Sequence, residues 1–335
     1  MSGKLTAYYD VGTTNLRLYL LDESLEPLAV RKRALGARDS AIAGTNRPLL
    51  EGMEGMYRQA LADLGQTDAD VEAVYASGMV TSPYGLLEVP HYPAPVTDEE
   101  FARRAVTPFF EPERFRRELR LISGLKSVGE DISSTNNTRG EEIEVLGILP
   151  ELEQRFPRQQ AAVILPGSHT HVLLAGRGRL EGILSSFTGE LFQAVRSETV
   201  LSPVLETPSD HPDPDAARLG LENLRRYGFS RSLYIGHAMR IFGEGTPRFR
   251  RCYCEAVISG GVIQALDAVC RERWRDCGTA LVAAEPYLAE LFSLLLEGSK
   301  AIRRWEALII SADRSFALEG LRRIIRIRER SRSDE

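Results

Sequence analysis

The chain opens on two short apolar segments separated by a glycine turn, and this pattern constrains the fold more than any other. Residues 5–10 (LTAYYD) and 16–22 (LRLYLLD) read as strands joined by a tight turn, and 25–33 can add a third strand. The pattern recurs about 155 residues later, where 161–165 (AAVIL), the turn PGSH and the segment THVLLAG predict a second hairpin. This internal repeat predicts two similarly built halves.

Strand-like and helix-like segments alternate along the rest of the chain. Helical spacing or composition is found at 49–64, 141–152, 189–200, 214–227, 250–274, 286–298 and 315–330. Further strands are expected at 72–76, 118–123, 279–284 and 305–312. This alternation predicts an α/β fold with largely buried sheets, and 335 residues are enough for two domains. The proline-rich stretch 83–112 predicts an extended segment crossing the surface.

Composition excludes several classes of function. A net charge of -5 argues against a nucleic-acid partner. No apolar run reaches the roughly 18 residues of a membrane span, and the first residues lack the pattern of a signal peptide. Cys252 and Cys254 are two apart, which is not the spacing of a zinc site. We therefore expect a cytoplasmic protein with reduced, mostly buried thiols and no membrane partner.

The turn of the first hairpin, within D-V-G-T-T-N-L-R at 10–17, brings many hydrogen-bond donors to one point. A glycine lets the backbone approach a ligand closely, and hydroxyl, amide and main-chain groups beside it suit a phosphate. Asp10, where the buried strand ends, suits the magnesium ion that accompanies a nucleotide. An ordinary hairpin turn is the alternative interpretation. The candidate phosphate ligands are Gly12, Thr13, Thr14 and Asn15.

The turn of the second hairpin, within L-P-G-S-H-T-H at 165–171, repeats this arrangement with Gly167, Ser168 and His169. Two such turns facing each other across a cleft could hold a polyphosphate from both sides. His169 and His171 alternate along a strand, but a metal site would need further ligands that the sequence does not indicate. His169 is therefore either a phosphate neighbour or a structural residue.

The segment N-N-T-R-G-E-E at 136–142 places two carboxylates where a helix begins. Glu141 and Glu142 could cap the helix, since its dipole favours negative charge there. Alternatively, one of them is a general base that takes a proton from an attacking hydroxyl. Arg139, with Asn137 beside it, could bind an anionic substrate group because its planar guanidinium fits a carboxylate.

Two weaker patterns complete the candidate site. The turn S-G-M-V contains Ser77, Gly78 and Met79 at the end of a strand. In F-T-G-E-L, Thr188 could cap a helix that has Glu190 in its first turn. The sequence contains neither a P-loop nor the Gly-x-Ser-x-Gly motif of a nucleophile elbow.

In order and spacing, these five motifs resemble those of the 2-dehydro-3-deoxygalactonokinase family. That family belongs to the superfamily of sugar kinases, heat-shock chaperones and actin, and the resemblance covers about residues 6–327. It implies a two-lobed actin-like (ribonuclease H-like) ATPase fold, each lobe a mixed sheet flanked by helices. It also implies transfer of the ATP γ-phosphate, with Mg²⁺, to the terminal hydroxyl of 2-dehydro-3-deoxygalactonate or a related sugar acid.

The resemblance also suggests roles for individual residues. The two glycine turns match the phosphate motifs, and residues 77–79 lie where wider carbohydrate kinases contact the sugar. Glu141 lies near the place of the catalytic aspartate of those kinases, with Glu142 as the alternative. Arg139 or Arg17 is expected to pair with the substrate carboxylate, and Thr188 and Glu190 are further substrate candidates.

The implied organisation is an N-terminal lobe over 1–155, a C-terminal lobe over 156–312 and a closing helix over 313–330. The small-molecule partners are the sugar acid and ATP, and a homodimer is one assembly that we consider.

One segment departs from the family pattern. A glycine-containing turn is usual after the late strand, where adenosine is expected, but here the sequence is V-A-A-E-P, with Ala284, Glu285 and Pro286 in the turn. The pair Ala312–Asp313 likewise replaces a Gly-Asp pair. This departure raises a second hypothesis, a non-catalytic sensor of nucleotide or sugar acid on the same fold. A third is another phosphotransfer or phosphohydrolase activity.

Overall fold

The computed structural model describes residues 4–129, 132–207, 209–311 and 314–333. It divides into two compact units. The first unit contains the chain up to Leu149, residues 178–180 and the chain from Ser315 onward. The second unit contains Pro150–Arg177 and Glu181–Arg314. The Ala312–Asp313 pair lies outside the described residues.

The first unit is formed mainly by the elements that precede Pro150. In chain order these are β1 (Leu5–Val11), β2 (Leu16–Leu21), β3 (Pro27–Arg33), α1 (Ala37–Ala43), α2 (Arg47–Asp63), β4 (Val71–Gly78), β5 (Tyr92–Pro93), β6 (Val96–Thr97), α3 (Asp98–Arg104), β7 (Val106–Glu111), β8 (Phe115–Ile122), β9 (Leu125–Ser127), β10 (Asn136–Thr138) and α4 (Glu141–Arg155).

The elements that follow form the second unit, apart from the last helix. They are β11 (Ala161–Leu165), β12 (His169–Gly176), β13 (Arg179–Phe187), α5 (Gly189–Glu198), α6 (Ser202–Leu205), α7 (Pro214–Tyr227), α8 (Phe229–Phe242), α9 (Pro247–Glu272), β14 (Thr279–Ala284), α10 (Pro286–Glu297), β15 (Arg304–Ile309) and α11 (Phe316–Ser333). Helix α11 is grouped with the first unit.

Both units use the same strand arrangement at their centre. In the first, β1 pairs antiparallel with β2 and parallel with β4, within the order β3-β2-β1-β4-β8-β7. In the second, β11 pairs antiparallel with β12 and parallel with β14, within the order β15-β14-β11-β12-β13. The expected fold class, an α/β actin-like fold with a mixed sheet in each unit, is confirmed.

The helices cover these sheets with the faces that their sequences predict. In α2, Leu49, Leu50 and Met53 are fully buried, at the spacing of one helical face. Helix α9 contacts α7 and α8 and is buried on most sides, because nearly every position facing its neighbours is apolar or small. By length and composition α9 passes as a membrane span, the one such helix among the described residues. However, 72% of the relevant window lies inside the protein, as in a core helix.

Several segments differ from the sequence-based expectation. The stretch 83–112 is not simply an extended surface segment, because α3 forms within it and buries Phe101 completely. Thr97 accepts a hydrogen bond from the amide of Glu100 and so starts that helix in spite of the nearby prolines. The sequence analysis missed β13 and α8. It also missed α6, since a four-residue helix has almost no periodic signal.

Candidate functional site

The turn between β1 and β2 presents its polar residues to solvent. The amide of Gly12 donates to the carbonyl of Asn15 over 2.8 Å and closes the turn. Thr13, Thr14 and Asn15 are exposed, and the Asn15 amide donates to the Thr14 hydroxyl. Main-chain and hydroxyl donors are therefore accessible on one small surface, as a phosphate ligand requires.

The segment that leads into α1 forms hydrogen bonds to this turn and packs against it. Ala37 and Arg38 donate their amides to the carbonyls of Gly12 and Thr13, over 3.2 and 2.9 Å. Gly36 packs so closely that a Cβ there would overlap the Thr13 and Gly12 carbonyls. The sequence analysis missed both Gly36 and the helix α1 that follows it.

Asp10 is a partly buried carboxylate at the end of β1. It is registered opposite Arg17 on β2 and opposite Ser77 on β4. Burial raises the pKa of Asp10 above its usual range, and the Arg17 guanidinium opposes that rise. Asp10, Arg17 and the turn residues line a cleft of about 370 Å³ together with Lys32 and Arg33. The three cations make this cleft suitable for an anion.

The Ser77–Gly78 step is fixed by its neighbours in the sheet. The buried hydroxyls of Ser77 and Tyr8 share a hydrogen bond of 2.7 Å. Gly78 has φ +81°, and a Cβ there would overlap the Val11 carbonyl. The chain then turns at Met79 into a short 3-10 helix. Ser77 is thus a buried residue of the sheet, and Met79 is the more accessible of the three.

Glu141 and Glu142 begin α4 but occupy different environments. Glu142 is fully buried and accepts hydrogen bonds from the Thr138 hydroxyl at 2.8 Å and from the Gly140 amide at 2.8 and 3.0 Å. Burial, followed by the charge of Glu141, raises the pKa of Glu142 to about 7. Glu141 is only partly buried and accepts from the Arg139 amide at 3.2 Å.

Glu144 is a third carboxylate of the same helix turn, and the sequence analysis missed it. Burial, then the charges of Glu141, Asp10 and Glu142, raise its pKa to about 8, while Arg17 opposes the rise. These interactions place Glu144 beside the β1–β2 hairpin. Its position three residues after Glu141, on the same face of a helix, is the signal that could have revealed it.

Arg139 and Asn137 lie beside the short sheet of β5, β9 and β10. Arg139 donates to the Thr81 carbonyl at 2.5 Å, to the Thr81 hydroxyl at 2.8 Å and to the Val89 carbonyl at 3.2 Å. Asn137 lies 3.3 Å from the Nε2 of His91. Burial and the nearby Arg139 lower the pKa of His91 to about 4, so its imidazole is neutral at pH 7.

The second glycine turn is supported by the start of α5. The amide of Glu190 donates to the Ser168 carbonyl over 2.8 Å, and a Cβ on Gly189 would overlap the Gly167 carbonyl. His169 Nε2 lies 3.0 Å from a Glu190 carboxylate oxygen. His169 and Glu190, predicted as cofactor and substrate residues respectively, are therefore brought together.

Thr188 takes the N-cap position of α5, but its hydroxyl does not cap the helix. It shares a buried hydrogen bond of 2.8 Å with the Thr170 hydroxyl instead. His171 bonds Ser185 at 2.9 Å, and burial lowers its pKa to about 4. His171 lies in β12, one of the two strands that carry the turn, and Thr188 is bonded to that strand through Thr170.

The altered turn after β14 is rigid and short. β14 ends at Ala284, Glu285 has an extended backbone with no side-chain capping bond, and Pro286 opens α10. Proline suits the first position of a helix because it has no amide hydrogen to satisfy there. Helix α10 therefore begins at Pro286 without a glycine-containing turn before it.

No group of three or more His, Cys, Asp or Glu residues that could hold a metal ion is present in the described part of the chain. Mg²⁺ usually keeps several waters and takes one or two carboxylates together with nucleotide phosphates. A single carboxylate such as Asp10, beside an accessible phosphate turn, fits that mode of binding.

Comparisons with known proteins show which sequences and folds this chain resembles. The family model for 2-keto-3-deoxy-galactonokinase matches residues 10–324. The Rhizobium meliloti (strain 1021) protein named Probable 2-dehydro-3-deoxygalactonokinase DgoK1 is 28% identical over 197 residues. That match spans 58% of this chain and 58% of the length of the curated relative.

Solved structures show the same fold at lower identity. A crystal structure described as a 2-dehydro-3-deoxygalactonokinase protein from Sinorhizobium meliloti has a TM-score of 0.74 and 21% identity, covering 97% of this chain and 98% of that one. A reductive activator for a corrinoid, iron-sulfur protein has a TM-score of 0.52 and 12% identity, covering 99% of this chain and 63% of that one. Because the family model matches nearly the whole length of the sequence, the chain belongs to the 2-keto-3-deoxy-galactonokinase family.

Proposed function

We propose that the protein is an ATP-dependent kinase that phosphorylates the terminal hydroxyl of 2-dehydro-3-deoxygalactonate or a related sugar acid. The observation that carries the proposal is the grouping of Asp10, Arg17 and the carboxylates at the start of α4 beside an exposed phosphate-type turn. Membership of the family supports the reaction class. Phosphoryl transfer needs mainly positioning and stabilisation of charge, and such a group can supply both.

Glu141 is the better candidate for the general base. Both oxygens of Glu142 already accept hydrogen bonds inside the protein, so Glu142 positions the N-terminus of α4. Glu141 is the more accessible of the two. In the proposed step the substrate hydroxyl gives its proton to Glu141, and its oxygen forms a bond to the γ-phosphorus of ATP. The bond from that phosphorus to the bridging oxygen breaks, and ADP leaves.

Asp10 is the candidate ligand for hydrated Mg²⁺, which would neutralise phosphate charge when bound. The glycine turn at 12–15 and the turn at 167–169 are the candidate phosphate ligands in their respective units. Ser168 and His169 belong to this set, with His169 held next to Glu190.

Arg17 is the better candidate for pairing with the substrate carboxylate. Arg139 donates to acceptors on residues 81 and 89, so we assign it to ordering the loop that follows β4. Arg17 lines the cationic cleft and is bonded to Tyr19 through one nitrogen, at 3.0 Å. The planar guanidinium retains donors for a carboxylate. Asn137 and residues 77–79 remain candidates for sugar contacts, and Thr188 for a contact made through its backbone.

A coupled assay of ADP release across a series of sugar acids tests the proposal. We expect turnover with 2-dehydro-3-deoxygalactonate, and less with acids that lack the 2-keto group or the terminal hydroxyl. Absence of turnover on every 2-keto-3-deoxy acid, with protein shown to be folded, would contradict the substrate assignment. We place the activity in the cytoplasm, with the sugar acid and ATP as small-molecule partners and a homodimer as the assembly to be tested.

A second candidate function is a sensor without phosphoryl transfer. The observation that favours it is the turn Ala284–Glu285–Pro286, which puts an acid and a proline where family members usually have a small turn. Calorimetry with Mg–ATP and with sugar acids separates the two functions. Tight binding of a sugar acid without binding of nucleotide would favour the sensor.

A further inference from the structure

Helix α8 of the second unit packs against the core with only one of its sides. Gly236 lies so close to α9 that a Cβ there would overlap the Cys254 sulfur. The Tyr253 hydroxyl of α9 donates to the Ser232 carbonyl of α8 at 3.1 Å. The side away from α9 faces solvent, and it also carries large apolar side chains. A helix that is apolar all round is normally buried all round, so this side lacks the cover that its composition calls for.

The solvent-facing side of α8 carries its apolar residues in one row. Tyr234, Ile241 and Phe242 are 59%, 59% and 78% exposed. Together with Ala238 they recur every three or four residues, which places all four on one face of the helix. We call these four residues the α8 stripe. Single exposed apolar residues are ordinary on a protein surface, but a continuous row of them marks a surface of interaction.

The exposed apolar area at α8 has the size that an interface between proteins requires. Tyr227 and Phe229, at the N-terminal end of the helix, are a further 46% and 37% exposed. Because a fully covered aromatic side chain buries about 150–250 Å², covering the α8 stripe and these two residues removes about 500 Å² from water per copy. The long stems of Arg231 and Arg240, which are exposed on the same helix, add to this area. The total approaches the roughly 800 Å² per partner of a stable interface.

The charges at the two ends of α8 indicate what covers the stripe. Arg231 lies near the N-terminal end of the helix, and Glu244 follows its C-terminal end. Both are exposed, and within the described part of the chain neither side chain forms an ion pair. If a second copy packs its α8 antiparallel, Arg231 of each copy meets Glu244 of the other, and two-fold symmetry forms this pair twice. A parallel arrangement would instead place like charges opposite each other.

We propose that the α8 stripe is the contact surface of a homodimer, in which α8 of each copy packs antiparallel against α8 of the other. The register that pairs Arg231 with Glu244 also sets Tyr234 of one copy against Ile241 of the other and puts Ala238 at the centre. The small side chain of Ala238 lets the two helices approach closely, so the larger residues on either side interdigitate. This inference goes beyond the proposed phosphotransfer and does not depend on it.

Sedimentation velocity of the intact protein over a series of concentrations tests the surface. We expect the wild-type protein to have twice the mass of one chain at micromolar concentration. Tyr234→Glu should raise the Kd of the dimer at least about 100-fold, because symmetry places the new charge in the interface twice. Tyr84→Glu is the matched control, since Tyr84 is also 59% exposed but lies in the first unit. A wild-type protein that is monomeric throughout, or a dimer that Tyr234→Glu leaves intact, would overturn the proposal.

Exchange of the two charges tests the antiparallel orientation. Arg231→Glu should raise the Kd of the dimer about three- to tenfold, since two exposed ion pairs are lost by symmetry. Adding Glu244→Arg to that variant should restore the wild-type Kd. The two positions are separated by about 20 Å along the helix, so the pair cannot form within one copy and the recovery reports a contact between copies. Absence of recovery, with both variants shown to be folded by circular dichroism, would contradict the antiparallel pairing.

A lipid surface is the alternative occupant of the α8 stripe, because aromatic and arginine side chains on an exposed helix also suit a membrane interface. Flotation with phosphatidylserine vesicles examines it. Binding of a monomeric wild-type protein to these vesicles, lost in Tyr234→Glu, would assign the stripe to lipid and overturn the dimer. Neither measurement uses substrate turnover, so the dimer can fail while the kinase function stands, and the kinase function can fail while the dimer stands.

Discussion

Among single residues, the neighbouring carboxylates of α4 lie in different environments. Glu142 is enclosed and hydrogen-bonded, Glu141 is accessible, and Glu144 lies beside Asp10 and Arg17. Spacing along the chain gives the relative direction of these side chains on the helix, but it does not show which of them other elements enclose.

The first prediction separates Glu141 from Glu142. Glu141→Gln should lower kcat by about 10²–10⁴-fold, the usual contribution of a general base, with little change in stability. Glu142→Gln should instead lower the free energy of unfolding by about 1–3 kcal/mol, because a buried amide would face the donors of Gly140 and Thr138. Steady-state kinetics and urea unfolding of both variants measure this. Full activity in Glu141→Gln would rule out its role as base.

The second prediction concerns the pH dependence of stability. Glu144 has a folded-state pKa of about 8, well above the ordinary glutamate value, so the folded protein holds that proton more tightly. The free energy of unfolding should therefore fall as pH rises from about 5 to 8. Glu142 contributes in the same direction. Glu144→Gln removes one titrating group and should make the decline shallower, as urea unfolding at several pH values can show. An unchanged slope would contradict this reading of Glu144.

The third prediction tests the support of the first glycine turn. Gly36→Ala should push the turn outward, because its Cβ would overlap the Gly12 and Thr13 carbonyls. We expect about tenfold weaker binding of Mg–ATP, equivalent to about 1.4 kcal/mol. Gly278→Ala is the control, since open space surrounds that position. Equal affinity in the two variants would show that the turn tolerates displacement.

At the scale of elements, glycines allow α4 and α11 to approach closely. A Cβ on Gly147 would overlap the Phe316 carbonyl, and one on Gly320 would overlap the Ile143 carbonyl. The two helices thus touch backbone to backbone within the first unit. Their sequences reveal amphipathic helices, but not that these glycines face each other.

A fourth prediction follows for this contact. Gly320→Ala should destabilise the protein by about 1–3 kcal/mol or more, as overpacking does, since the obstacle is backbone rather than a flexible side chain. Gly55→Ala on α2 is the control, because nothing lies near its Cβ and alanine favours a helix by about 1 kcal/mol. Thermal unfolding should move in opposite directions for the two variants.

The sequence predicted the helices and strands that have a strong periodic pattern and missed those whose pattern is short or weak. The hairpins and most of the long helices were expected from alternating or helical patterns, but the 14-residue α8 was not. Helix α3 was missed because seven residues give less than two turns of periodicity, while the surrounding prolines signal extended chain. Strand β13 was missed because it follows β12 through a tight turn at Arg177 and Gly178.

At the scale of the whole molecule, the chain returns at its end to complete the first unit. On α11, Arg322 donates to the Leu25 carbonyl at 2.8 Å and to Glu26 at 2.7 Å, and Arg323 pairs with Asp98. These two arginines therefore bond to residues of the first unit instead of pointing freely into solvent.

The fifth prediction tests how much α11 contributes to the stability of the first unit. Deleting residues 315–335 removes several fully buried apolar side chains, each contributing about 1.5–3 kcal/mol, against a total stability of about 5–15 kcal/mol. The first unit should then lose its cooperative unfolding transition, as followed by circular dichroism and limited proteolysis. Removing only residues 334–335 should leave the transition unchanged. A normal transition in the long deletion would show that α11 is dispensable.

Strand and helix periods and glycine turns are local signals, so the sequence was enough to predict the fold class, the two hairpins and the family. It also identified both glycine turns and the α4 carboxylates as candidate site residues. The enclosure of Glu142 and the proximity of Glu144 to Asp10 became visible in the folded structure. The physical reason is that burial and pairing of charge depend on residues far apart in the chain, which no local pattern encodes.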